Sequence, residues 1–505
     1  MRNFFQKNLL GCTIAVAMAF PALAEITAQD IKDQIVGFYE SVGYEVQIGS
    51  EKKSGNTLIL SDISLVFEIP EDGGTVVMAM DTVELVETGD GAVNIVPSAV
   101  VAFNVNVSPD GDDEVIVIGN LNLEDMIARA SGSPDALKIA STASGTGFKI
   151  TSLEVDGETI PLNLNLSTGA LASNYSIVKK VDDRRRFSGD SSIASIKVAA
   201  NAHDPEGDGF FALTASMADL FNIFSFEAKK TDDIEDMLKA GFDGDVSISY
   251  GASAVEVNFQ DGEDRFAMTG DATGGKFAFA LSPDAIGYEI SEEGVNLNIS
   301  SSELPIPALN VSYDEFAISF GVPMSESDQP SDFHIRTALR GFSISEAIWS
   351  MFDPGQALPR DPATIVIELT GKLRVLVDLL DPDNIDELDD MDSSPFLPVS
   401  IDLKELTASF GGAFLSGTGG MTFDPESPIQ IEGIPMPAGE VNLSLKGGFG
   451  LLDKLVEIGL MPPDASMGMR AMLGAFARPV GDDEFESKIE MTEDGGILAN
   501  GQRLQ

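Results

Sequence analysis

Two histidines limit the acid–base and metal chemistry open to this chain. His203 and His334 lie more than a hundred residues apart, so there are at most two imidazole ligands and no H-E-x-x-H helix. No G-x-S-x-G elbow accompanies either histidine, which argues against a Ser-His-Asp hydrolase. His334 sits between Phe333 and Ile335 in a strand-like run and reads as structural. His203 opens the run His203-Asp204-Pro205-Glu206-Gly207-Asp208-Gly209. There Asp204, Glu206 and Asp208 alternate and could converge on a hard cation, making a weak Ca²⁺ site. Ala215 stands where a calcium loop would place its bidentate Glu, and an ordinary acidic turn is the plainer reading.

Other chemical patterns are thin. Ser50 with Lys53 and Ser176 with Lys179 match S-x-x-K by letters, without the accessory motifs that chemistry needs. The acidic run from Asp381 to Asp392 alternates with Ile385, Leu388 and Met391 and reads as a solvated helix face. Lys179, Lys180 and Arg184-Arg185-Arg186 form the one concentrated basic patch, expected to pair with nearby carboxylates. No signature names a reaction, so the expectation is a protein that is not an enzyme and carries no cofactor. A hydrolase with an unrecognised carboxylate site is the lesser alternative.

The remaining candidates are apolar. Met461, Met467, Met469 and Met472, with Leu473 and Phe476, fall on two short helical segments joined through Pro462-Pro463. Methionine is flexible and polarizable, so this stripe is read as an adaptable lid over a greasy groove, with the single tryptophan, Trp349, as a further ligand contact. The competing reading is that the stripe fills the core.

Such side chains need a sheet to cover. Strict alternation recurs along the chain, as in Val101, Phe103, Val105 and Val107, in Leu162, Leu164 and Leu166, in Val295, Leu297 and Ile299, and in Val441, Leu443 and Leu445. The intervening Asn, Thr, Ser and Glu are typical of antiparallel strands with one wet face. Gly and Asx clusters at Glu71–Gly74, Thr88–Gly91, Pro109–Asp112 and Glu493–Gly496 supply hairpin turns. Helical periodicity is confined to Thr27–Gly43, to a segment after Ser343 with Glu346 as its capping partner, and to Leu451–Ile458 and Asp464–Phe476. The expected fold is mainly β: a long antiparallel meander forming a curved sheet, trough or barrel-like sandwich, with a few short amphipathic helices packed on it.

The first residues supply an address. Arg2 and Lys7 precede an apolar run from Leu9 to Phe20, and Ala22-Leu23-Ala24 is a small-x-small cleavage site, so a signal peptide over 1–24 is expected to be removed before Glu25. The apolar run is about a dozen residues, short of the roughly 20 that span a bilayer, and no transmembrane span is expected in the mature chain. Cys12 is the sole cysteine and leaves with the leader. Disulfides, thiolate-bound zinc and cysteine nucleophiles are thereby excluded. Loss of Arg2 and Lys7 leaves 29 basic against 81 acidic residues, a net charge of −52. That charge argues against nucleic acid and anionic headgroups as partners.

Three segments carry a resemblance. Glu25-Ile26-Thr27-Ala28-Gln29-Asp30, the run Asp353-Pro354-Gly355-Gln356-Ala357-Leu358-Pro359-Arg360-Asp361-Pro362-Ala363-Thr364, and Gly448-Phe449-Gly450-Leu451-Leu452-Asp453-Lys454-Leu455 resemble bacterial secreted proteins of the domain of unknown function 2125 family, as does the ending Ala499-Asn500-Gly501-Gln502-Arg503-Leu504. The resemblance implies a periplasmic or secreted bacterial protein and assigns no catalytic residue. The hairpin Ile489–Leu498, ending in Asn500-Gly501, is also similar to repeats of AsmA-like envelope proteins, which implies an open sheet that holds or conveys lipid.

The polar segment near Lys179–Asp190 and the acidic one from Asp381 suggest an N-terminal β-rich region over 25–185, a central one over 186–380 and a C-terminal one over 381–505, with one continuous architecture as the alternative. The functional expectation is a non-catalytic envelope protein sheltering a lipid or other apolar ligand in its sheet. The alternative is a structural or adaptor protein with a filled core and an envelope protein as partner.

Overall fold

Alternating apolar and polar residues commit most of this chain to strands, and nearly all of those among the described residues pair into one antiparallel sheet of 29 strand segments. The structure, a computed structural model, describes residues 26–41, 43–69, 74–108, 114–204, 207–229, 241–381, 384, 394–427, 429–431 and 434–504. The sheet is a meander: successive strands such as Thr57–Ile69 and Gly74–Glu87, or Arg184–His203 and Phe210–Lys229, pair along their full lengths. The strand Arg184–His203, where the first expected region boundary falls, pairs with Leu171–Lys179 on one side and Phe210–Lys229 on the other. Ten segments form a closed circuit of pairings between Gly74–Glu87 and Arg184–His203. That circuit arises because the strands lying between are split in mid-length. Leu162–Thr168 and Leu171–Lys179, for example, are two halves of one line along Arg184–His203.

The splits line up. Pairing skips Gly49 and Asp62, then Asp62 and Asp81, then Ala194 and Asp219, then Gly294 and Asp314, so a crease crosses the sheet near the middle of its strands. Asp62, Asp219 and Gly294 take positive φ (53°, 51° and 59°), the left-handed region that Asp tolerates better than most residues and Gly adopts freely. One residue out of step inverts the alternation. Leu58 and Leu60 are buried before the crease, and Ile63 and Leu65 after it, so both halves of the strand present apolar side chains to the same face. The same inversion carries Leu213 and Met217 over to Leu220 and Phe224.

Four helices lie among the described residues. Helix α1 (Ala28–Ser41) is closed by Thr27 and Asp30: the Thr27 N–H and hydroxyl donate to Asp30 Oδ2 (2.9 and 2.6 Å), and the Asp30 N–H donates back to Thr27 Oγ1 (3.2 Å). Its Ile31 packs with Leu58, Leu60, Leu85, Val93, Ala130 and Leu137, the principal core of the molecule. At the other end of the sheet are α2 (Glu346–Phe352), α3 (Gly448–Glu457) and α4 (Pro463–Phe476). The second helix begins later than its sequence pattern suggests. Ser343 still belongs to the strand Ser331–Ile344, and Ser345 is the N-cap residue. No helix among the described residues is long and apolar enough to cross a membrane.

Candidate functional site

The face of the sheet that carries the helices is its inner face, and strand register shows what lines it. Side chains directly opposite one another share a face, so partners can be followed from strand to strand. Starting under α1, Ile139 pairs with Tyr175, then Gly189, Phe224, Val246 and Phe279. The row goes on through Tyr288, Phe320, Ile335 and Leu369 to Leu403. Eleven strands at about 4.8 Å spacing make a row about 48 Å long with no polar side chain other than the Tyr hydroxyls.

Aromatic rings join along it. Tyr175 and Phe224 have centroids 5.9 Å apart, Phe187 stacks on Phe226 at 4.9 Å, and Tyr288 stacks on Phe320 at 5.7 Å. Glycine supplies the room: a Cβ on Gly189 would lie 2.5 Å from Tyr175 Cδ1, so the ring lies flat across the neighbouring strand.

Among the described residues, this face is left open between the two helical ends. Phe277, Ile335, Ile365 and Ile367 keep 37, 42, 50 and 40% of their surface accessible. On the opposite face Phe221 and Ile223 are also exposed, but their cross-strand neighbours are Ser192, Ser249, Asp190 and Ser247, so they stand alone. On the inner face, by contrast, apolar side chains follow one another from strand to strand.

Polar groups interrupt the inner face at few places. The Ser141 and Ser173 hydroxyls bond to each other at 2.5 Å in a buried position, and in the same row Asn222 Oδ1 is buried without a hydrogen-bond partner. Near the crease Glu292 accepts from the Tyr250 hydroxyl at 3.2 Å and the Tyr313 hydroxyl at 2.9 Å. Burial and the adjoining carboxylate push the Tyr313 hydroxyl up to about 12, and push Tyr250 upward as well.

Towards the C-terminal end the same face holds an apolar cavity of about 420 Å³ lined by Leu339, Ile365, Ala408, Phe410, Leu415, Leu445 and, from α3, Leu451. Two of the segments that carry the family resemblance, Asp353–Thr364 and Gly448–Leu455, close this end. Asp353 is fully buried and accepts the N–H groups of Ala357 and Leu358 (both 2.9 Å) and Arg360 Nη1 (2.6 Å). Burial raises the Asp353 carboxyl, but Arg360 and the two N–H groups outweigh it and hold the group below the ordinary aspartate range. Arg360 also bonds Glu346 and lies 4.4 Å over the Trp349 ring. In the Gly448–Leu455 segment, Asp483 accepts the N–H groups of Phe449 (2.8 Å) and Gly450 (2.9 Å), capping α3.

The structure separates the apolar residues singled out by sequence. Trp349 is buried against Phe352 and Phe410, whose ring centroids lie 5.0 and 6.1 Å away, and serves as packing for the C-terminal cap. Met467, Met469 and Met472 project to solvent from α4 at 62, 52 and 64% exposure, and Phe476 is exposed beside them. Met461 and Leu473 are half-buried. Leu451 of α3, rather than the methionines, reaches the cavity. The groove residues themselves escaped sequence reading, because a cross-strand row becomes visible only once register is known.

Asp204 and Asp208 lie on the turn between Arg184–His203 and Phe210–Lys229, and Glu206 lies outside the described residues. Among the described residues no three His, Cys, Asp or Glu side chains are grouped to hold a metal ion. His334 projects from the outer face across Gly321, and Arg184 and Arg186 lie 3.8 and 4.0 Å from Glu227. Most of the acidic run after Asp381 lies outside the described residues.

No curated protein matches the chain. A family model matches residues 236–495, a span that takes in both C-terminal cap segments and the open middle of the sheet from Asp243 onward. The cap residues Asp353 and Gly448–Leu455 thus act as structural staples within the matched region. On that match, the chain belongs to the family of uncharacterized proteins conserved in bacteria designated DUF2125.

Proposed function

We propose that this protein shelters the apolar chains of a lipid or similar amphiphile along the inner face of its sheet, without catalysing a reaction, in the bacterial periplasm after loss of its leader. The observation that carries this reading is the uninterrupted apolar row from Ile139 to Leu403, half-exposed in mid-sheet, with the helices among the described residues set towards the two ends of the sheet. A row of about 48 Å exceeds the roughly 30 Å hydrocarbon thickness of a whole bilayer. It therefore suits several acyl chains in line, or a chain moving along it, better than one enclosed small ligand. An adaptor role through the edge strand Tyr44–Ser54 is less well supported, because that strand presents Glu45, Glu51, Lys52 and Lys53, charges that discourage strand addition.

The test is native mass spectrometry of the mature protein purified from its own envelope, followed by solvent extraction. Co-purifying lipid in stoichiometric amount supports the reading. A clean apo mass, together with no uptake of a hydrophobic dye, rejects it in favour of a structural or adaptor role.

A further inference from the structure

Glu292 is out of character with its surroundings. From the strand Ala136–Ala143 through Glu484–Met491, strand ends aside, it is the one charged side chain among the described inner-face positions. Its row runs from Tyr250 through Gly275 to Glu292, Phe316 and Leu339. A carboxylate on an apolar surface is costly unless its charge is met. Here both oxygens are satisfied by neutral donors, Tyr250 and Tyr313, and no Lys or Arg among the described residues pairs with it. The Tyr313 hydroxyl, pushed up to about 12, and the Tyr250 hydroxyl, shifted the same way, stay protonated at neutral pH and go on donating, so they orient the carboxylate without cancelling its charge.

The arrangement is built for this contact. Tyr250 reaches Glu292 by lying over the intervening strand, where a Cβ on Gly275 would fall 2.3 Å from its hydroxyl. Tyr313 and Phe316 meet edge to face at 6.5 Å beside it. A carboxylate flanked by aromatic rings matches the chemistry of an ammonium group, which gains from the charge and from the ring faces together.

Building on the proposed apolar trough, we infer that Glu292, Tyr250 and Tyr313 form a recognition point for the ammonium group of a cationic or zwitterionic amphiphile, whose chains lie along the adjoining apolar row. Tyr250 and Tyr313 are positioning residues for the carboxylate as well as walls for the cation.

The experiment compares binding of dodecylamine, dodecanol and dodecanoate to the full mature chain at pH 7 and 0.15 M salt, where general attraction from the net charge is screened beyond about 8 Å. The expected result is a preference of about tenfold for dodecylamine over dodecanol, the scale of one charge-assisted contact. In Glu292→Gln the preference disappears while dodecanol binds as before. Glu293→Gln, one residue along on the opposite face, retains the preference and controls for bulk charge. Tyr313→Phe weakens it while preserving dodecanol binding. Dodecanol binding with no ammonium preference, or a preference that survives in Glu292→Gln, overturns this inference and leaves the trough intact. Failure of all three probes to bind overturns the trough reading and this inference together.

Discussion

Inner-face side chains under α1 and those in mid-sheet are alike in chemistry and differ in what covers them. Leu85, Val93 and Ala130 are fully buried by α1 and its neighbours, whereas Ile335, Ile365 and Ile367 lie in the same kind of antiparallel ladder with 42, 50 and 40% of their surface left to solvent. Folding alone asks for every apolar face to be covered. Among the described residues, the helices cover the two ends of the sheet and leave the middle open.

If the covered end is a true core, it should respond to cavity formation as cores do. Leu85→Ala is expected to cost about 3 kcal/mol, within the usual range for a fully buried leucine. Hydrogen exchange over Thr57–Ile69 and Gly74–Glu87 would register the loss. Trp349, the sole tryptophan, reports from the opposite end and its unfolding transition should not move, because a long meander transmits stability mainly between neighbours. A parallel shift at Trp349 would show that the ends are coupled through the open middle.

The C-terminal cap should be the acid-sensitive end. Asp353 has a carboxyl held below its unfolded value of about 3.9, so its stabilising contribution is present above that value and is lost as pH falls through the lower folded value. Trp349 fluorescence should therefore stay constant from pH 7 to about 5 and change below roughly pH 4, as Arg360 loses its partner and leaves the indole ring. Asp353→Asn should weaken the cap at pH 7 and remove that acid transition. At the N-terminal end the corresponding device is small: Thr27→Ala removes one half of the capping box and should cost about 1 kcal/mol, read as loss of α1 protection in hydrogen exchange.

The contrast between covered and open regions also explains what the sequence revealed. Alternation in Val101–Val107, Leu162–Leu166 and Val295–Ile299 announces each half-strand, and the turns at Thr88–Gly91 and Glu493–Gly496 form as their Gly and Asx residues suggest. The crease was hidden, because a phase inversion such as Leu58, Leu60, Ile63, Leu65 reads as two short strands unless Asp62 is recognised as a residue able to take positive φ. The methionine stripe of α4 has the composition of a lid, yet composition does not say which way a helix faces, and Met467 and Met472 point to solvent. Glu292 was beyond reach altogether. One acid among 81 becomes distinctive only when register places it in a row with Tyr250 and Phe316.

The smallest expected change in stability separates the two regions most sharply. Ile367 lies between Thr337 and Leu406 on the inner face and keeps 40% of its surface exposed. Truncating it removes only part of a burial worth about 1.5–3 kcal/mol when complete, so Ile367→Ala should destabilise the sheet by about 1 kcal/mol or less. The same truncation takes apolar contact from the groove, and hydrophobic-dye or dodecanol binding should weaken by a few-fold. A core residue behaves the opposite way, since Leu85→Ala should cost more in stability and leave dye binding to the folded protein unchanged. If Ile367→Ala instead proved as costly as Leu85→Ala, mid-sheet side chains would be carrying the fold, and the open face would lose its claim to be a surface kept clear for a ligand.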